Sequence, residues 1–301
     1  IILLSACKQD NKDVFFTNHP QLETLKNAYD EAPDATKANE LLRALHSVLG
    51  SGVIEDGQMI SFLEYGYEVA TDQNMTSRRA NFLFPLIKED FENSNNADRI
   101  FELYGIMKKM KKDNVAIVLG HGLKRAYPSY DKLSEIDISL PEGIENIDAY
   151  IMDLGTRIFD NPDKTGINRA SSLKYVDACE AYALVFPKSE STPEYLFKAA
   201  EVAKSLRTFP KSLSLYDWII DGYPAYEKTA TALFLKGFII ENNLGDEEKA
   251  REVYNEFLQK YPDHELADDI AFLIENLGKS DEEILELIEQ RSQQAKQEEL
   301  Q

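Results

Sequence analysis

Aromatic–proline pairs recur along this chain, among them Tyr127-Pro128, Phe186-Pro187, Phe209-Pro210, Tyr223-Pro224 and Tyr261-Pro262. Proline ends a helix, because it has no donor for the next turn and its ring clashes with the turn before it. The spacing narrows the fold. Phe186 to Tyr223 is 37 positions and Tyr223 to Tyr261 is 38, the length of a helical hairpin that repeats. In three cases a small residue stands 12 positions before the proline: Ala116, Ser212 and Ala250. Such a residue lets two helices approach closely, while the aromatic packs back onto the pair just completed.

Between these marks the pattern is helical almost throughout, from Gln21 onward. Leu41, Leu42, Leu45, Val48 and Leu49 recur at spacings of three and four, as do Ile147, Tyr150, Ile151, Leu154 and Ile158. Each set makes one apolar stripe on a helix. Val115-Ala116-Ile117-Val118-Leu119 is compatible with a strand, but it runs on into Gly120-His121-Gly122-Leu123 and reads as helix. The longest non-helical stretch is Ile136 to Ile144, which marks a boundary between halves. The expected organisation is a signal remnant over 1–7 and a flexible tether over 8–20. Helical hairpins with degenerate repeats follow over 21–135, then a regular helical solenoid over 142–292 and a frayed tail over 293–301.

The C-terminal part resembles the tetratricopeptide repeat, a unit of two antiparallel helices. The clearest unit spans about Lys228 to Asp263. Gly237 fits the small position of the first helix, Leu244-Gly245-Asp246 the turn, and Ala250 the small position of the second helix. Tyr254 fits the aromatic and Pro262 the terminator, with one residue extra before the turn. The preceding unit keeps Ala199, Ser212, Tyr216 and Pro224 but has no glycine at its turn, and Leu266 to Ile288 reads as a cap. The resemblance implies an all-α fold, an α-α superhelix of antiparallel helix pairs.

Ahead of the helices, the apolar run Ile1-Ile2-Leu3-Leu4 leads through Ser5-Ala6 to Cys7, and Lys8 to Asp13 is wholly polar. This resembles the lipobox of bacterial lipoproteins, where the chain is cut before the cysteine and lipid is attached to its sulfur. The resemblance implies lipidation at Cys7 and an outer-membrane location, facing the periplasm or the cell surface. Several acyl chains make a stable anchor where one does not.

The whole chain carries 53 acidic against 33 basic side chains, a net charge of −20. Such a surface repels phosphate, so nucleic acid is not an expected partner. His19, His46, His121 and His264 are scattered, with no His-Glu-x-x-His or Cys-x-x-Cys spacing to suggest zinc. Asp160 to Gly166 lacks the glutamate that a calcium loop needs at its twelfth position, where Ser172 stands. Cys179 reads as a small buried hydrophobe. Lys108 to Lys112, the one basic cluster, reads as a solvated helix end. No nucleophile–base set emerges, so catalytic residues, metals and cofactors are not expected.

Aromatics concentrate over 175–234. Most belong in an interhelical core, but Tyr182, Tyr195, Tyr216, Trp218 and Phe234 are candidates to line a partner-binding groove, since Trp and Tyr serve as binding anchors. The expected function is a lipid-anchored scaffold for a protein or peptide partner in the cell envelope, within an outer-membrane assembly or secretion machine. The alternative is a glycan-binding lipoprotein on a similar helical core. An enzyme is the least expected class.

Overall fold

A computed structural model describes residues 15–16, 18–49, 54, 57–164, 166–279 and 283. The chain is all-α: thirteen α-helices and no strand occur among the described residues, and helices adjacent in sequence pack as pairs. The run Val115 to Leu119 lies in a helix, and all five side chains are buried. A helix covered on every side needs no polar face, which removes the period from its sequence.

Two compact units divide the chain. The first holds residues 1–156 and 177–192, the second 157–176 and 193–301. The non-helical stretch expected as a boundary lies inside the first unit.

The first unit contains α1 (Pro20–Glu31), α2 (Ala35–Leu49), α3 (Met59–Asp72), α4 (Thr76–Glu89), α5 (Asn96–Lys109), α6 (Asp113–Ala126) and α7 (Ile147–Thr156). A 3-10 turn, Asp131–Glu135, and an irregular strap follow α6. The core begins earlier than the sequence suggests. Phe15 and Phe16, inside the stretch read as a tether, are buried, with edge-on ring contacts to Phe62 and Tyr65. Two large aromatic side chains bury too much apolar surface to stay in water once α3 offers them a seat.

The helix α8 (Arg169–Val185) follows a loop in which Asn161 and Gly166 adopt positive φ. That loop is the turn expected at Asp160 to Gly166. The second unit contains α9 (Thr192–Ser205), α10 (Phe209–Gly222), α11 (Thr229–Ile239), α12 (Glu247–Lys260) and α13 (Ala267–Asn276).

One hairpin geometry recurs. The pairs α3/α4, α5/α6 and α9/α10 each consist of two 14-residue helices joined by three residues. The middle linker residue is left-handed in each: Asn74 at φ 53°, Lys111 at 58° and Arg207 at 56°. The residue after it closes the turn with the same backbone bond, Met75 to Ala70, Lys112 to Met107 and Thr208 to Ala203, at 2.9–3.0 Å. This is a C-cap that satisfies a carbonyl of the last helical turn.

The pair α11/α12 has one residue more before its left-handed Gly245, and the surplus is taken up as a π-helical turn, Ile240–Leu244. A π turn absorbs an insertion without breaking the helix. Across this pair Gly237 lies against the Tyr254 ring, and Tyr254 donates its phenol to Glu241 at 2.7 Å. Asp246 caps α12 by accepting from the Lys249 amide at 3.0 Å.

Of the aromatic–proline pairs named above, four terminate helices, while a further pair, Phe84-Pro85, lies inside α4. Tyr127, Phe186, Tyr223 and Tyr261 each donate the final i→i−4 bond, at 2.8–2.9 Å, and the proline after them offers no next donor. Phe209-Pro210 is different, and the terminator reading is corrected there: it opens α10, where proline's missing donor is one the helix start leaves unpaired anyway.

Candidate functional site

The best-defined recognition geometry in the first unit is the face of α5 and α6 on which the strap, residues 136–140, is seated. Ile136 is buried, Ile138 and Leu140 are half-buried, and Asp137 and Ser139 are exposed. That period of two is the pattern of an extended segment with one face inward. Gly120 of α6 makes the floor. A Cβ there would stand 3.0 Å from Ile136 Cγ2, 3.0 Å from Ile138 Cγ2 and 3.1 Å from the Tyr104 ring.

Two lysines hold the strap by its backbone, and His121 stands beside them. Lys124 Nζ donates to the Ile136 carbonyl at 3.2 Å, and Lys108 Nζ donates to the Asp137 carbonyl at 2.7 Å. The His121 imidazole lies beside the Ile138 carbonyl, while its buried Nε2 has no partner among the described residues. Burial, then the nearby Lys124 charge, hold His121 below its ordinary pKa, against the opposing pull of the Ile138 carbonyl. Lys108 also lies 5.6 Å from the centre of the Tyr104 ring. The basic run 108–112 is thus more than a solvated helix end, because Lys112 further reaches Asp177 at 3.4 Å.

A clamp stands beside the seat. Tyr130 donates to Asp98 at 2.8 Å, Lys132 donates to the same oxygen at 2.7 Å, and Lys132 sits 5.7 Å from the Phe101 ring centre. The Lys132 and Tyr130 hydrogen bonds hold the Asp98 carboxyl below its usual range. Burial, then Asp98, push the Tyr130 phenol up to about 12.

The second unit repeats this constellation with the same spacings. Tyr226 and Lys228 donate to Glu194, Lys228 at 2.7 Å, and Lys228 sits 5.4 Å from the Phe197 ring centre. Burial raises the Glu194 carboxyl, but hydrogen bonds from Lys228, Tyr226 and Lys198 outweigh it and bring the pKa to about 2. These clamps lock the turn after each hairpin onto its first helix.

The sequence candidates are distributed otherwise. Cys7 lies outside the described residues. Tyr182 belongs to the first unit, and Tyr195, Tyr216, Trp218 and Phe234 to the second. Tyr182 is 1%, Tyr216 0% and Trp218 8% exposed, so these three stand in the core and line no open groove. Their helix faces point at neighbouring helices, and large rings gain most from that burial. Tyr195 and Phe234 are half-buried, and Phe234 stacks on Tyr254 with ring centres 6.4 Å apart. Cys179 is fully buried in α8.

Sequence reading missed Lys108, Lys124 and His121 as a set. Their shared target is backbone carbonyl oxygen, which every residue carries. The signal available was the alternation Ile136-Asp137-Ile138-Ser139-Leu140, which begins 14 positions after Gly122.

The fold and seat together define an all-α helical-repeat protein that holds an extended segment on one hairpin. No family model matches the chain, and no curated protein matches it. Among the described residues no helix is long and apolar enough to cross a membrane, and no three His, Cys, Asp or Glu side chains gather as a metal site.

Proposed function

We propose that this chain is a helical-repeat scaffold that binds a protein or peptide partner in the bacterial cell envelope, anchored to the outer membrane through an acylated Cys7. The observation that carries the binding role is the seat on α5 and α6. There, paired helices hold an extended segment by its carbonyls and by alternate apolar side chains, one of the recurring modes of peptide recognition. The tetratricopeptide-like order of Gly237, Ala250, Tyr254 and Pro262 supports a repeat scaffold, whose stacked hairpins need only nearest-neighbour contacts. Membership of an assembly or secretion machine follows from the lipobox resemblance at Cys7 together with such a scaffold. The glycan reading needs exposed aromatic platforms, and Trp218 is buried.

The test places a photo-crosslinking residue at exposed Ser139, beside the seat, and at exposed Lys174 as a control, in envelope membranes of cells expressing the full chain. A discrete adduct from position 139 and none from 174 supports the scaffold. Adducts absent from both positions overturn it. Labelled palmitate tests the anchor separately: incorporation is expected in the native chain and lost in Cys7→Ser, and equal labelling of both overturns the anchor.

A further inference from the structure

We propose that the α5–α6 seat takes a partner strand in trans: an extended peptide with branched apolar residues at alternate positions and acidic or polar residues between them. Residues 136–140 are its resident occupant, displaced when that partner binds. The proposal rests on the scaffold reading above and names the chemistry of the partner and the regulation of its site.

Three observations lead here. First, the host contacts match an extended backbone rather than one particular side-chain order. Successive carbonyls of an extended chain point to opposite sides. The Ile136 and Ile138 carbonyls meet Lys124 and His121 of α6, and the intervening Asp137 carbonyl meets Lys108 of α5. Any strand in that register offers the same acceptors.

Second, the floor of the seat is a missing side chain. Gly120 stands nine residues after the left-handed Lys111, and in the equivalent hairpin Tyr216 stands nine residues after the left-handed Arg207. Tyr216 fills its space with its own buried ring. At Gly120 the space is filled by Ile136 and Ile138, side chains that come from another segment. The hairpin is therefore completed by a guest.

Third, the resident is held by the seat and not by secondary structure of its own. No strand pairs with it among the described residues, and it belongs to no helix. Its outward side chains, Asp137 and Ser139, are polar and exposed, and Glu135 precedes them. In a chain of net charge −20, the seat gathers two lysines. That local sign favours an incoming strand whose outward positions are acidic, as the resident's are.

The probe is a fluorescein-labelled peptide of the resident sequence, Glu135 to Gly143, read by anisotropy against the full chain. In Ile136→Ser/Ile138→Ser the resident is loosened, and the peptide should bind about tenfold more tightly than to the native chain, since a seat occupied in cis lowers apparent affinity by its vacant fraction. Adding Gly120→Phe should abolish binding, and a peptide with its apolar residues shifted by one position should not bind. Equal affinity for the native and loosened chains, with helical content and cooperative melting retained, overturns the proposal, and so does equal binding of the shifted peptide.

Hydrogen exchange on the native chain guards against a loosened variant that fails to fold. Saturating peptide should accelerate exchange at residues 136–140, and unchanged exchange overturns displacement. A crosslinked envelope partner without peptide binding overturns this proposal and leaves the scaffold standing. Peptide binding without any envelope partner overturns the scaffold reading instead.

Discussion

Tyr226 donates its phenol to the carboxylate of Glu194, 32 residues earlier in the chain. Tyr130 stands in the same relationship to Asp98, also 32 residues earlier. In both places a lysine two residues after the tyrosine joins the carboxylate and covers an aromatic ring. The carboxylate sits in the first turn of its hairpin's first helix, where negative charge suits the helix dipole. Two hairpins with little other sequence in common thus end in one device.

The clamp makes stability depend on acid. Glu194 titrates at about 2 when folded, against 4.5 when unperturbed. A depressed carboxyl contributes stability that is complete above its unfolded pKa and is lost as pH falls through the folded value, here between 4.5 and about 2. Solvent screens a pair this close to the surface, so about 1 kcal/mol is expected at neutral pH. Urea denaturation over a pH series should show Glu194→Gln less stable by that amount at pH 7 and flatter than the native chain below pH 4.5. Parallel curves for the two would reject the clamp.

The three-residue turns carry a conformational load. Lys111 and Arg207 adopt the left-handed region, which side chains with a Cβ enter at a cost and glycine does not. Lys111→Gly and Arg207→Gly should each raise stability by about 0.5–1 kcal/mol in thermal melts. Lys111→Val should lower it, because a β-branched residue fits that region worst. A destabilised glycine variant would mean that the lysine or arginine side chain contributes more than its backbone costs.

These turns also show what the sequence made legible. Helix type and order were readable because apolar stripes are a side-chain property, and the extra residue before Gly245 was readable as a slip in register. The regularity of the N-terminal hairpins, read as degenerate repeats, escaped recognition because Asn74 and Lys111 hold a turn that glycine usually marks. Its geometry is set by a backbone hydrogen bond, which leaves no residue type behind. The seat escaped for a related reason: its acceptors are carbonyls, and its floor is the absence of a side chain at Gly120. Trp218 and Tyr216 were visible as large rings, but which face of α10 they occupy is settled by packing against its neighbours.

Close packing makes Gly237 intolerant of growth. A Cβ there would stand 2.5 Å from the Tyr254 ring, which is fully buried, stacked by Phe234 and tied to Glu241. Alanine ordinarily gains about 1 kcal/mol over glycine inside a helix. Here overpacking should outweigh that gain, for a net loss of about 1–2 kcal/mol in Gly237→Ala. Recovery of stability in the double variant Gly237→Ala/Tyr254→Leu would locate the strain at this contact, and additive losses would place it elsewhere.

Tyr216 and Tyr254 occupy matching places, nine residues after Arg207 and Gly245, yet their hydroxyls differ. The Tyr254 phenol has its carboxylate acceptor, whereas the Tyr216 phenol is buried with no partner among the described residues. Burial, then the Glu201 charge, push the Tyr216 pKa far above its ordinary value. A buried unpaired hydroxyl costs about 1–3 kcal/mol, while a paired one contributes about 1 kcal/mol. Tyr216→Phe should therefore match or exceed native stability, and Tyr254→Phe should fall below it by about 1 kcal/mol or more, because Glu241 loses its donor. Equal losses in the two would show that Tyr216 has an acceptor in solution.

His121 joins the strap to proton concentration. Its folded pKa lies below the ordinary 6.5, held there by burial and by Lys124, with Lys108 of α5 as a second cation at the seat. Against them stands the Ile138 carbonyl on the strap. A base held neutral by the fold stabilises it fully above its unfolded pKa, and that stability is lost as acid protonates the ring. Protonation adds a buried donor at Nε2 for which no acceptor stands among the described residues, and a third positive charge beside two lysines. The strap should therefore loosen as pH falls below 6.5, while the helices around it stay folded. Limited proteolysis between α6 and α7 should accelerate severalfold from pH 7.5 to pH 5.5 in the native chain, after correction for the protease's own pH dependence. In His121→Gln, whose amide can donate to Ile138 without titrating, cleavage should stay level. The same acceleration in both chains would assign the pH response to another group.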